Sequence, residues 1–389
     1  MSASALLLGA VLTFGASDGT KLSLTVTLTE SSTLALDWGG LTVTSTAPAR
    51  RHYFRDLPTP RLSPLVYHLD ARGGRMLEET VKPIPPDGPL LVALYGDSRD
   101  GDGPHRRIAR TIADVGPDVV VHTGDVIHKA GDAAGWVNHL SATLPMTSAS
   151  PLVYALGNHE LWQYWRIPKE ERIDAYAAVM AELPAPEDPL AEKHGAPPGV
   201  YHVRVGPALF IALDSNQPIA AGAPQGKFLE EVLENEPAQY RFIALHHGPL
   251  SSGRHGGSEA GPYLMDVADR HDVTAILAGH DHLYERIVQR DVTVLVSGGG
   301  GAPLYRRWRT VDGSKAFVST YHWVRMMLGA EDATVEAYGL EGTLLDRAAL
   351  PAAKEGHDGR APLGVLIAGL AVLFAGLLFA LYRIVFSAR

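Results

Sequence analysis

Leu152-Val-Tyr-Ala-Leu-Gly-Asn-His-Glu160 is an apolar run that stops at a glycine and then presents an amide, an imidazole and a carboxylate. Leu152 to Leu156 reads as a short buried strand, ended by Gly157. Three polar side chains at the mouth of a buried strand are costly unless something occupies the space between them. The same shape recurs upstream, in Leu90-Leu-Val-Ala-Leu-Tyr-Gly-Asp97 and Pro117-Asp-Val-Val-Val-His-Thr-Gly-Asp125. It recurs downstream in Phe242-Ile-Ala-Leu-His-His247 and Thr274-Ala-Ile-Leu-Ala-Gly-His-Asp-His282. Five buried strands thus each deliver Asp, Asn or His at their C-terminal end, the edge where open α/β sheets bind ligands.

Taken singly, each residue has an ordinary explanation. An Asp after Gly is usually a turn residue or helix cap, and a loop His is usually solvated. Five such ends in series are harder to explain that way. Asp, Asn and His supply oxygen and nitrogen donors suited to Zn, Fe and Mn ions. The chain has no cysteine, so a metal site here must use those donors.

Gly96-Asp97, Gly124-Asp125, Gly157-Asn158-His159-Glu160, His246 and Gly279-His280-Asp281-His282 resemble, in order, the signature of the calcineurin-like metallophosphoesterases. Tyr284-Glu285-Arg286 and Ser251-Ser252 bring the resemblance closest to the purple acid phosphatase-like branch, over roughly residues 88–350. The resemblance implies an α/β fold: an αββα sandwich of two mixed β-sheets flanked by helices. It also implies two divalent or trivalent metal ions (Fe, Zn or Mn), bridged by Asp125. Asp97 and His282 would complete the first metal site; Asn158, His246 and His280 would complete the second. His159 would be the general acid at the leaving group, with Glu160 orienting it or stabilising the turn. Hydrolysis of a phosphomonoester by a metal-activated hydroxide would follow.

The chain departs from the family at Asp97-Ser98-Arg99, where many members carry Asp-x-His. In the purple branch a tyrosine three residues after the bridging Asp ligates instead, and here that position is His128. His128 is expected to fill the ligand position, without tyrosinate-to-iron charge transfer. Arg99 reads either as a phosphate clamp or as a surface arginine paired to Asp100 or Asp102. His255 matches a phosphate-contacting position, His247 reads as supporting the ligands from behind, and His122 as a strand residue. Ser297-Gly-Gly-Gly-Gly301 lacks the Lys-Ser/Thr of a P-loop and reads as a turn or a close backbone approach to the site.

The expected organisation follows. Residues 1–17 read as an export segment, on family analogy, or as an ordinary first strand or disordered tail. Residues 18–82 alternate with period two and suggest a small fibronectin-like β-sandwich domain; 83–89 is a proline-rich linker. Residues 90–350 form the phosphoesterase domain, 351–361 a linker, 362–383 a transmembrane helix and 384–389 a short tail. Leu363 to Tyr382 carries no charge, and at about 1.5 Å per residue it matches a hydrocarbon core of about 30 Å. The expectation is a single-pass membrane anchor with an extracytoplasmic catalytic domain. Within the insertion after the central motif, 169–183 reads as a helix and 184–198 as a loop. The segments 292–296, 316–327 and 333–338 read as a second sheet closing the fold.

Net charge is -9, from 34 basic and 43 acidic residues, and with no basic cluster in the body nucleic-acid binding is not expected. The partners expected are a phosphate-ester substrate and, through the C-terminal helix, a membrane. The competing readings are a phosphodiesterase of the same fold and an inactive membrane-anchored binding protein.

Overall fold

A computed structural model describes residues 6–100, 102–161 and 172–353. Two mixed sheets stack face to face. The nine-stranded sheet runs in the order Leu344–Leu350, Ala333–Gly339, His322–Leu328, Leu90–Tyr95, Val119–His122, Leu152–Tyr154, Leu7–Phe14, Lys21–Ser32, Ala49–Pro58. The seven-stranded sheet runs Tyr201–Val205, Ala208–Ala212, Tyr240–Ala244, Ala275–Ala278, Val292–Ser297, Tyr284–Gln289, Ser314–Val318.

The central strands of each sheet are parallel and fully buried. That is why they read as continuous apolar runs rather than alternating ones. One face of each sheet meets the other across a shared core containing Val92, Val121, Phe210 and Phe242. Helices Asp102–Val115 and Ala133–Thr147 cover the outer face of the first sheet, through Ile108, Ile112, Trp136 and Leu140. Helices Pro224–Asn235 and Gly261–Arg270 cover the second, through Phe228, Leu229 and Leu264. This is the αββα sandwich. The five motif-bearing strands divide between the sheets: three in the first, two in the second.

Several expectations are corrected. Within 1–17, Leu7–Phe14 takes the strand reading. It is an inner strand of the first sheet, parallel to Leu152–Tyr154 and antiparallel to Lys21–Ser32. A run of aliphatic residues buried on both sides looks alike in either role. The strand-rich N-terminal region over 18–82 is present, but its strands do not close into a sandwich of their own. Lys21–Ser32 and Ala49–Pro58 extend the first sheet, while Ala35–Trp38, Leu41–Thr44, Leu65–Ala71 and Gly74–Val81 form a four-stranded sheet. Trp38 and Tyr67 of that sheet join the same core as the motif-bearing strands.

The segment 316–327 is divided: Ser314–Val318 edges the second sheet, whereas His322–Leu328 crosses to the first and pairs with Leu90–Tyr95. The stretch 333–338 follows it there. Within the expected loop 184–198 lies a short helix, Pro189–His194, capped by Asp188 and closed by Gly195 in the left-handed region. Among the described residues no helix is long and apolar enough to cross a membrane. The expected span 362–383 lies outside them, as does part of the helix expected over 169–183, whose described portion is Arg172–Glu182.

Candidate metal centre

The two sheets bring their C-terminal strand ends together, and six of the expected ligands meet there. Asp97, Asp125 and His246 offer donor atoms all within 4.8 Å of one another, and all three are buried. His246 Nε2 lies 3.5 Å from Asp125 Oδ1, 3.0 Å from Asn158 Oδ1 and 3.2 Å from His280 Nδ1. His282 Nε2 lies 3.3 Å from Asp97 Oδ1.

The backbone is bent to achieve this. Asp97, Asp125 and His280 have φ of 56°, 60° and 68°, in the left-handed region. Such a conformation costs on the order of 1–3 kcal/mol for a residue with a Cβ, and it clusters at functional sites. The strand-to-loop turns are therefore set to aim side chains, at some expense to the fold.

Hydrogen bonding behind the rings decides which nitrogen faces inward. His246 Nδ1 meets the Thr123 carbonyl at 2.8 Å and His282 Nδ1 meets the Pro303 carbonyl at 2.6 Å. A carbonyl only accepts, so each Nδ1 carries the proton and each Nε2 turns a lone pair toward the carboxylates. In the neutral rings, the form that binds a metal, His246 Nε2 sets its lone pair toward Asn158 Oδ1 and Asp125 Oδ1, and His282 Nε2 sets its own toward Asp97. Asp97 Oδ1 is buried with no hydrogen-bond partner. A buried carboxylate oxygen without a donor is costly, and a cation between these groups removes the cost. Burial pushes the His246 imidazole down, but Asp125 and Asp97 outweigh it and hold it above its ordinary value. The negative field that does so would equally attract a metal ion. The donor set fits a metal centre.

Glu160 organises the turn. Its carboxylate is buried and accepts from the N–H groups of Asp125 (2.9 Å), Val126 (2.8 Å), Ile127 (3.3 Å) and Gly157 (2.8 Å). Burial, then the neighbouring Asp125, raise its pKa. His159 donates its backbone N–H to Asp125 Oδ1 at 2.9 Å. Its ring Nδ1 is engaged by the His128 carbonyl, leaving Nε2 directed at Asp125 Oδ2, 3.8 Å away. Burial lowers the His159 pKa despite Asp125.

His128 is not brought to the cluster. Its ring is half-exposed, and Nδ1 pairs with Asp100 Oδ2 at 2.8 Å. Arg99 Nη1 pairs with Asp100 at 2.7 Å, one of its two readings, and Nε stands 3.3 Å from Asp125 Oδ2. His255 lies at the mouth, its ring 4.1 Å from that of His280 and its N–H donated to Asp281. His122 ends its strand and braces the loop, Nδ1 accepting from Gly124 N–H and Nε2 donating to Ser98 Oγ. The glycine run Ser297–Gly301 makes the close approach: Gly300 N–H donates to Gly96 O and Ala302 N–H to Asp97 O.

Two further residues belong to the site. His247 offers a donor within 4.8 Å of those of His246 and His280, so it faces inward rather than supporting from behind. The only sequence signal for it is its place after His246. Tyr305 stacks on His282, centroids 4.1 Å apart and planes at 16°, and its hydroxyl feels both Arg99 and Asp97. No motif marks it. From His247, His255 and His280 a cleft of about 610 Å³ opens, walled by Ser215–Ala220 and Gly256–Ala260.

A family model for calcineurin-like phosphoesterases matches residues 90–284. Purple acid phosphatase 7 of Arabidopsis thaliana is 26% identical over 91 residues, covering 21% of this chain and 28% of that protein. The match therefore spans little more than a quarter of the relative's length. Among solved structures, purple acid phosphatase PPD1 from seeds of yellow lupin (Lupinus luteus) superposes with a TM-score of 0.74 at 17% identity, covering 90% of this chain and 75% of that one. PhoD superposes with a TM-score of 0.64 at 13% identity, covering 88% of each chain. At such identities these likenesses speak for the fold alone.

Proposed function

The chain belongs to the calcineurin-like phosphoesterase family, and from that premise we propose that it hydrolyses phosphate monoesters at a dinuclear metal centre. The observation that carries the reading is the unpartnered, buried Asp97 Oδ1 facing His282 Nε2 at 3.3 Å, in a cluster where Asp97, Asp125 and His246 offer donor atoms within reach of one ion. Asp97 and His282 would hold one ion, Asn158, His246 and His280 the other, and Asp125 would be shared. His247, whose donor groups with those of His246 and His280, would be a further ligand on the side of the second ion; it does not stand in for His128, which the resemblance puts at the first ion and which here pairs with Asp100. When bound, such ions supply Lewis acidity toward a phosphoryl oxygen and activate water as the nucleophile.

The remaining work falls to side chains already in position. The Arg99 guanidinium, only 11% exposed and held by Asp100, is placed to pair with a phosphoryl oxygen beside Asp125. His159, with Nδ1 committed to a carbonyl, exchanges a proton through Nε2, the atom a leaving oxygen would meet. The cleft past His255 receives the organic part of the ester. Catalysis is placed in the domain ahead of the apolar C-terminal stretch, which anchors it to a membrane on the extracytoplasmic side.

Full-length protein stripped with chelator and resupplied with Mn, Zn or Fe would be assayed on p-nitrophenyl phosphate and on its bis ester. Metal-dependent release of p-nitrophenol from the monoester, exceeding that from the diester, is expected. A preference for the diester would make this a phosphodiesterase. No turnover of either ester by metal-loaded protein would leave a binding protein.

A further inference from the structure

The expectation of no basic cluster in the body is corrected by the loop that follows Tyr305. Arg306, Arg307, Trp308 and Arg309 are consecutive and exposed, and the fold sets exposed Arg254 beside them. Arg309 Nη2 donates to the Arg254 carbonyl at 3.2 Å, and the Arg254 guanidinium lies over the Tyr305 ring. Four exposed arginines thus gather around one loop of a chain whose net charge is -9.

None of the four makes an ion pair with a carboxylate among the described residues, whereas Arg270, Arg286 and Arg325 pair with Glu230, Asp346 and Glu336. At their centre Trp308 is 73% exposed. An indole left in water forgoes the burial that so large an apolar group normally finds. Nor is the loop a loose one. The N–H groups of Trp308 and Arg309 both donate to Ser252 O, at 2.8 and 3.1 Å, and Tyr305 N–H donates to His282 O. Ser252 is itself fixed by buried Glu285, at 2.7 Å through its N–H and 2.6 Å through its hydroxyl. The Arg307 guanidinium lies 4.3 Å from the centre of the Phe317 ring. The backbone is held and the side chains of 306–309 stay exposed.

We propose that this arginine–tryptophan face docks on a membrane surface carrying anionic phospholipid headgroups, with the Trp308 indole in the interfacial layer. Residues 306–309 line neither the cleft beside the metal centre nor the cavity behind Arg99. A small anion needs a concave site, whereas a projecting face suits an extended anionic surface. Arginine beside an exposed indole is the combination that partitions to a lipid interface: headgroup charge draws the guanidinium groups, and the ring lies at headgroup depth. The uncharged stretch Leu363–Tyr382 in the same chain favours lipid over nucleic acid as that surface. Docking would orient the metal centre, because Tyr305 at the root of the loop stacks on His282.

The absence of cysteine allows one label to be placed uniquely. Thr310→Cys, beside the tryptophan, and Leu62→Cys, 96% exposed in the N-terminal region, would each carry an environment-sensitive fluorophore on the full chain. Each would be mixed with vesicles of phosphatidylcholine alone or of phosphatidylcholine with phosphatidylglycerol, both doped with a headgroup spin-labelled quencher. The label at 310 should be quenched several-fold more by the anionic vesicles. That excess should vanish in about 1 M salt, where screening is nearly complete beyond a few Å. The combined variant Arg306→Ala, Arg307→Ala, Arg309→Ala should weaken docking by about two orders of magnitude, at roughly fivefold per arginine. The label at 62 should not respond to lipid charge. The readout follows the loop whether or not the C-terminal stretch inserts. Equal quenching at 310 by both vesicles, or no more at 310 than at 62, would overturn the proposal. So would shielding of the 310 label by single-stranded nucleic acid but not by anionic vesicles.

Discussion

Glu160 occupies no expected ligand position, yet four backbone N–H groups end on its carboxylate, from the turns that carry Asp125 and Asn158. An amide there would turn its own N–H groups toward backbone N–H donors. Glu160→Gln should therefore retain the secondary structure but lower metal affinity by about 10–100-fold, the usual effect of losing a group that orients ligands. Competition against a chelator of known affinity measures this, and an unchanged affinity would contradict the role. Asp97, Asp125, Asn158, His246, His280 and His282 were legible because each follows a buried strand directly. His247 was not, since neighbours on a strand point oppositely; here the chain leaves its strand after Ala244 and both rings turn inward. His128 misleads for a different reason. The resemblance to the purple branch puts it at a ligand position beside Asp125, but Asp100 engages its ring and the Arg99 guanidinium stands beside Asp125 Oδ2. Tyr305 arrives on a loop whose path no local pattern specifies.

At the scale of elements, the two turns that end Val119–His122 and Leu152–Tyr154 touch through glycine. A Cβ on Gly157 would lie 2.2 Å from both Asp125 N and Asp125 Oδ1, and one on Gly124 would lie 2.4 Å from Gly157 N. Gly157→Ala should displace Asp125, destabilise by about 1–3 kcal/mol as overpacking does, and abolish metal retention. Gly103→Ala, in open space within the first helix, should instead be neutral or stabilise by about 0.5–1 kcal/mol. Denaturant melts of the two variants would test the contrast; equal effects would contradict it.

The short helix Pro189–His194 offers a pH test. Burial raises the Asp188 carboxyl, but bonds from His202 and from the helix N-terminus outweigh it and hold its pKa below the ordinary 3.8. Its Oδ1 accepts from Leu190 N–H, and its Oδ2 accepts from His202 N–H and faces His202 Nδ1. A depressed carboxylate contributes stability that is present above its unfolded value and lost as pH falls through the folded one. Asp188→Asn should lower stability by about 1–3 kcal/mol at neutral pH. The deficit should shrink as pH falls below 3.8, followed by urea titration across that range. A deficit that grows with acid would have the wrong sign. Neither this helix nor the fate of Leu7–Phe14 was evident locally. A six-residue helix has too few turns to show a period, and an aliphatic strand carries no mark of its neighbours.

For the molecule as a whole, the site exists only because two sheets are registered against each other. Asp125 and Asn158 come from one, His246 and His280 from the other. Arg286 on the second sheet pairs with Asp346 on the first at 2.7 Å, and Tyr284 donates to the same carboxylate at 2.7 Å, clasping their edges together. Buried α/β strands with a site at their ends were legible from five apolar runs with polar ends, and the sandwich followed from the family resemblance those ends carry. Which strands fall in which sheet, and the crossing of His322–Leu328 to pair with Leu90–Tyr95, were not legible, since sheet order depends on partners distant in sequence. The central claim is that this junction holds two metal ions through a shared Asp125. Metal content per folded chain, measured by elemental mass spectrometry on the native protein and on Asp125→Asn, tests it most directly. About two ions in the native chain and no more than one in the variant are predicted. A native chain without metal after reconstitution, or a variant retaining the full complement, would contradict it.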